Sequence, residues 1–274
     1  MNNSTSIASN IGTTTHQITG VHSDLLKREV KVDVFLPPGY SKESGPYRLI
    51  LLNDGQDARA VNLEATLNAL HADSLMNQYI VVGVHAGERL QEFGVSGKPD
   101  YRKRGNRARR YEEFIIDQLI PWLNHEYHID VDGGKNVIAG WSLGGLSAIS
   151  IAWNNPGVFG KVGGFSGAFW WRKRALDKGY TDKDRIMHSV IRKSRVRKGM
   201  KFWFQAGTED ETSDRNNNGI IDSIDDTLDL ISELIILGYK PYHDVSYYEM
   251  LGGHHNCDTW SEALPEFLKW ATRP

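Results

Sequence analysis

The chain has 274 residues, 40% of them hydrophobic, which is enough to fill the core of one large domain. Its 32 Lys and Arg against 34 Asp and Glu leave a formal charge of −2, so there is no global attraction to nucleic acid or to an anionic membrane. Cys257 is the only cysteine, which excludes an intramolecular disulfide and allows a reducing compartment.

No apolar run approaches the roughly 18 residues of a membrane-spanning helix. Residues 1–20, rich in Ser, Thr and Asn, lack the apolar stretch of a signal peptide and are read as a polar N-terminal segment ahead of a single domain at 21–274. A cytoplasmic protein is expected, or a periplasmic or secreted one if a leader has been removed.

In chain order, β-rich apolar segments fall at 30–36, 48–52, 79–85, 136–140, 201–205 and 244–248. Helical patterns lie between and after them at 60–71, 111–127, 143–154, 227–237 and 258–271. This alternation predicts an α/β fold: a mostly parallel central sheet with helices on both faces, the 30–36 strand in an antiparallel part. In the 227–237 helix Leu228, Ile231, Leu234 and Ile235 share a face, and Gly238 stands where a C-terminal cap belongs.

Residues Asn136-Val-Ile-Ala-Gly-Trp-Ser-Leu-Gly-Gly145 read as strand, sharp turn and helix, with Ser142 at the tip of a Gly-x-Ser-x-Gly elbow. Side chains at 140 and 144 would crowd the neighbouring strand and helix, so both positions are glycine. Later strands supply partners in the order such a serine needs. Ala206-Gly-Thr-Glu-Asp210 offers Asp210 as the orienting acid, with Glu209 its competitor. Gly252-Gly-His-His-Asn256 offers His255 as the preferred base and His254 as the alternative, since spacing alone does not decide which ring faces the serine. An oxyanion hole is expected from the backbone N–H of Leu143 and that of Gln56 or Asp57 in the loop after the 48–52 strand.

Several further landmarks accompany these: Leu36-Pro-Pro-Gly-Tyr40, Leu52-Asn-Asp-Gly-Gln56, Asp100-Tyr101, Tyr111-Glu-Glu-Phe-Ile115, Ser166-Gly-Ala-Phe-Trp-Trp171 and His255-Asn256 with Trp260. Together they resemble the esterase family of α/β-hydrolases that includes esterase D, bacterial enterochelin esterases and feruloyl esterase domains, from about residue 22 to the end. The resemblance implies the α/β-hydrolase fold and hydrolysis of carboxylic esters through an acyl-enzyme, without a catalytic cofactor. It carries the nucleophile to Ser142, the acid to Asp210 and the histidine, five residues before a tryptophan, to His255. A Gly-Gly-His alignment selects His254 instead, and the two stay open here.

Directly after the acid, residues 214–225 reproduce the oxygen spacing of a calcium loop. Asp214, Asn216, Asn218, Asp222 and Asp225 stand at positions 1, 3, 5, 9 and 12, with the Ile220 carbonyl at position 7. A structural Ca²⁺ stiffening the acid's loop is expected; the competing reading is a polar turn closed by a helix cap at Asp225 or Asp226.

For substrate contacts the sequence offers Trp141, Trp170, Trp171 and Arg109, the last from a run with six basic residues in nine at 102–110. The expected partner is a small-molecule or carbohydrate ester, such as a siderophore ester or an acylated or feruloylated sugar. Two rivals stand beside this reading: a catalytically silent binding module on the same fold, and an acyltransferase using the same serine.

Overall fold

The computed structural model describes residues 12–131 and 134–273. Eight strands, β1 (Thr14–Ser23), β2 (Arg28–Leu36), β3 (Arg48–Asn53), β4 (Tyr79–Val84), β5 (Asn136–Trp141), β6 (Phe159–Phe165), β7 (Lys201–Glu209) and β8 (Val245–His254), form one sheet in the order β1-β2-β4-β3-β5-β6-β7-β8. β2 pairs antiparallel with both β1 and β4, as expected for the early segment. Every pairing from β4 through β3 to β8 is parallel.

The helices are α1 (Leu63–Ala72), α2 (Arg89–Glu92), α3 (Ala108–Glu113), α4 (Ile120–Tyr127), α5 (Leu143–Asn154), α6 (Ile186–Arg192), α7 (Asp222–Leu237) and α8 (Cys257–Thr272). A six-residue π-helical stretch, Phe114–Leu119, joins α3 to α4, so the helix expected at 111–127 runs on continuously.

Strand alternation divides the core in two. Leu49 and Leu51 of β3, with Ile80 and Val82 of β4, face a cluster that holds Phe114, Leu123, Leu146, Met187 and Leu230 from the helices between Ala108 and Leu237. Ile50 and Leu52, with Val81, face a second cluster with Leu67 of α1 and Leu264 and Phe267 of α8. Because β3, β4 and β5 are covered on both sides, their sequences are continuous apolar runs rather than alternating ones.

The structure differs from the sequence reading in a few elements. β6 went unread because three of its seven residues are glycine, a composition that hides a strand. Packing explains one of these: a Cβ at Gly163 would stand 2.4 Å from the Phe267 ring. β1 takes residues from Thr14 onward into the sheet, so the polar segment expected over 1–20 is shortened; residues 1–11 lie outside the described residues. α7 begins at Asp222, earlier than either cap considered at Asp225 or Asp226, and its buried hydrophobic residues are Ile224, Leu230 and Leu234, whereas Ile235 is exposed. Gly238 caps it at φ 123°, donating to the carbonyls of Leu234 and Ile235.

Candidate active site

Ser142 joins β5 to α5 at φ 54°, ψ −122°, a conformation that L-residues adopt only under constraint. The constraint is steric. A Cβ at Gly140 would lie 2.7 Å from the Gly144 backbone, and one at Gly144 would lie 2.6 Å from Asp54 Oδ2. Neighbouring chain then pins the turn: Ser142 N–H donates to the Phe165 carbonyl at 2.8 Å, and Ala168 N–H to the Ser142 carbonyl at 3.0 Å.

Beneath the elbow lies a polar brace that sequence reasoning missed. Asn53, fully buried at the end of β3, donates from Nδ2 to the Gly144 carbonyl at 2.8 Å and accepts from the Tyr111 hydroxyl at 2.8 Å. Asp54, also buried, takes both arms of Arg89 at 2.8 Å each, and Arg89 reaches on to the Trp141 carbonyl at 3.3 Å. Burial pushes the Asp54 carboxyl pKa up, while Arg89 opposes it. The sequence marks the Asn-Asp-Gly-Gln stretch as a landmark and an oxyanion loop but not as a brace, and Arg89 carries no motif.

Because β5, β7 and β8 are parallel, the residues that follow them emerge at one edge of the sheet. Ser142 follows β5, Asp210 follows β7 and His255 follows β8. Glu209 and His254 end their strands as paired neighbours, and their side chains, 59% and 58% exposed, meet at 3.3 Å. Asp210 is 9% exposed and accepts from the Ser166 hydroxyl at Oδ1, at 3.1 Å; its Oδ2 is buried without a hydrogen-bond partner. Burial raises its pKa, opposed by hydrogen bonds from Gly207 and Ser166 and then by the two histidines.

His255 stands edge-on to the Trp260 ring, 5.3 Å between centroids. Partial desolvation lowers its pKa from 6.5, the Asp210 charge pulls it back up, and Arg89 lowers it further. Among the described residues no hydrogen bond of 3.5 Å or less joins Ser142 to His255 or His255 to Asp210.

Leu143 begins α5, so its N–H is one of the unpaired donors of a helix start. In the facing loop the Asp57 N–H donates to the Asp54 carbonyl at 3.0 Å, which removes Asp57 from the oxyanion candidates and leaves Gln56. The Gln56 side chain is fixed at both ends, donating to Asp54 and accepting from the Ala86 N–H.

Two of the four expected substrate contacts, Trp141 and Trp171, are corrected. Trp141 is 2% exposed, stacks on Trp260 with centroids 5.9 Å apart and donates to Asp57 Oδ2 at 2.9 Å, so it is core. Trp171 is fully buried and donates to the Lys98 carbonyl. Arg109 pairs with Glu113 one turn along its helix, on the outside. Trp170 alone keeps a partly exposed face, two residues beyond the Ala168 that bonds Ser142, with Arg104 stacked 5.0 Å from its ring centre.

A calcium site at residues 214–225 is not supported. The Nδ2 groups of Asn216 and Asn218 both donate to Asp225 Oδ2, and the N–H groups of Asn218 and Gly219 donate to Asp214. Asp222 accepts from the Arg215 backbone at 3.0 Å and pairs with its guanidinium at 3.2 Å. Several of these oxygens thus bond within the chain, and among the described residues no group of three or more acidic, His or Cys side chains is set to hold a metal. Arg215 also grips the buried Asp226, which is shared with the buried Arg185.

A sheet of this order, carrying a serine on a strained strand-to-helix turn where its parallel strands end, defines an α/β-hydrolase. Residues 23–271 match the family described as "Putative esterase", and the chain belongs to that family. It is similar to YbbA of Bacillus subtilis strain 168, an uncharacterized protein, at 26% identity over 146 residues, 52% of this chain and 58% of YbbA. It is 28% identical over 155 residues to an endo-1,4-beta-xylanase/feruloyl esterase of Xylanibacter ruminicola, covering 53% of this chain and 20% of that protein. The crystal structure of the enterobactin esterase FES from Shigella flexneri superposes with a TM-score of 0.72 at 18% identity, over 96% of this chain and 59% of that one. The chain therefore spans under two thirds of the length of each of these three proteins. At 18% identity the superposition shows a common fold.

Proposed function

We propose that the chain hydrolyses carboxylic esters through an acyl-enzyme on Ser142, with His255 as general base and acid and Asp210 as its orienting carboxylate. The observation that carries this reading is the backbone of Ser142 at φ 54°, ψ −122°: strain held by two glycines and a buried brace is spent on presenting a hydroxyl at the edge where a buried carboxylate and an imidazole also emerge.

His255 takes the Ser142 proton as Oγ attacks the ester carbonyl, and returns it to the departing alcohol; water then repeats the sequence on the acyl group. Asp210 Oδ2, buried and unpaired, is the acceptor available to the imidazole N–H, and its charge stabilises the imidazolium that forms. The N–H groups of Leu143 and Gln56 receive the oxyanion. Both hydrogen bonds require the His255 ring to move, as catalytic contacts tighten when substrate binds. His254 is drawn off by Glu209, which favours His255 as the base.

The substrate class follows the names of the relatives: an acylated or feruloylated carbohydrate, or a siderophore ester, with Trp170 as an aromatic wall beside the serine. Turnover of p-nitrophenyl acetate by the wild type, lost in Ser142→Ala, is the expected result. Wild-type turnover in the variant, or none in either protein, rejects the reading, the second outcome favouring a binding module.

A further inference from the structure

We propose that Ser166 and Trp260 are positioning residues for the acid–base couple: the Trp260 indole holds the Ser166 hydroxyl so that its single proton goes to Asp210, leaving the other carboxylate oxygen for the imidazole of His255. The proposal rests on the triad reading above.

Ser166 follows β6 and is 2% exposed, with φ 42°, a costly value for a residue with a side chain. Its backbone N–H is fixed to the Gln205 carbonyl of β7 at 2.8 Å. Its Oγ lies 3.1 Å from Trp260 Nε1, 3.1 Å from Asp210 Oδ1 and 3.4 Å from Gln205 Oε1. An indole N–H only donates and a hydroxyl has one proton, so once Ser166 accepts from Trp260 its proton must go to Asp210 or Gln205. The nearer, anionic oxygen wins. Reversing the Gln205 amide, whose Nε2 is buried without a partner, turns Gln205 into a second donor and makes Asp210 the sole acceptor.

Trp260 links the parts of the site. Its ring meets His255 edge-on at 5.3 Å and stacks on Trp141, the residue before the nucleophile, at 5.9 Å. One indole thus touches the base, steadies the strand end that presents Ser142, and directs the hydroxyl that holds the acid.

The test is a pH profile of kcat and KM for wild type, Ser142→Ala, Ser166→Ala, Ser166→Gly, Trp260→Phe and the double variant Ser166→Ala/Trp260→Phe. Ser166→Ala is expected to lower kcat roughly tenfold with little change in KM. It should also move the acidic limb to higher pH, because a carboxylate that has lost a donor holds the proton of the coupled pair more tightly. Ser166→Gly deletes the same hydroxyl while relaxing the backbone, so it shares the limb shift whatever its melting temperature does. Trp260→Phe keeps an aromatic ring, shifts the limb less, and adds nothing to Ser166→Ala. An unmoved limb in both Ser166 variants, or additive effects in the double variant, overturns the positioning role while loss of turnover in Ser142→Ala leaves the triad standing. Wild-type turnover in Ser142→Ala overturns both.

Discussion

Glu209 and His254 face each other across the β7–β8 ladder and join at 3.3 Å in solvent. Asp210 and His255, the first residue beyond each strand, therefore start from the opposite phase of the alternation. His255→Ala is expected to lower kcat for p-nitrophenyl acetate by roughly 10⁴-fold, as loss of a triad member does. His254→Ala should stay within a few-fold of wild type, since an exposed ion pair contributes little. The reverse pattern assigns the base to His254.

The acidic limb of kcat/KM reports the fraction of His255 that is neutral. Its pKa is lowered, by desolvation first and by Arg89, against the pull of Asp210. A lowered value keeps the imidazole unprotonated further into acid, so half-maximal kcat/KM is expected below pH 6.5. A limb centred above pH 6.5 contradicts this. Arg89→Gln tests the weaker cause and should move the limb upward.

His188 is fully buried, with Nε2 against the Asp226 carbonyl at 2.9 Å and Nδ1 unpaired, and its pKa is lowered to about 3 by burial first. The unfolded chain takes up this proton near pH 6.5, the folded one only near pH 3. Stability from this group is complete above pH 6.5 and declines as pH falls towards 3, by about 1.4 kcal/mol per pH unit. Urea melts of wild type and His188→Asn between pH 7 and 4 should differ by that slope. Parallel pH dependences dismiss the assignment.

Gly140→Ala places a methyl 2.7 Å from the Gly144 backbone, which has no flexible side chain to give way. A loss of about 3 kcal/mol in urea unfolding is expected, with activity reduced in step as Ser142 is displaced. Wild-type stability in this variant means that the elbow is looser than its geometry.

Chelation by EDTA is expected to leave the melting temperature unchanged, because Asp222 and Asp225 each accept hydrogen bonds from within residues 214–225. A drop of several degrees, reversed by calcium, returns the ion to the loop.

The sequence is legible where one cause dominates. Continuous apolar runs at 48–52 and 136–140 mark strands covered on both faces, and the glycines around Ser142 mark the elbow because close backbone approach admits nothing larger. Where two causes compete, reading fails. The glycines of β6 answer to packing against Phe267 and conceal a strand. Trp141 and Trp171 look like ring-binding surface, yet each finds an acceptor for its indole within the chain and joins the core. Arg89 and Ser166 matter only through what tertiary folding brings beside them, a carboxylate 35 residues away for the one and 44 for the other. The spacing of Asp214 to Asp225 matches an ion cage, but spacing does not reveal that Arg215 turns inward.

That inward turn has a consequence for how the acid's loop is maintained. A guanidinium tethered to the backbone cannot diffuse away, so the positive charge that Asp222 and Asp226 meet beyond Asp210 is supplied by the chain itself. The dependence passes to the genome instead: replacing Arg215 by an uncharged residue would strand Asp222 and Asp226 beside each other, the second of them buried, with Arg185 as the one remaining guanidinium on Asp226.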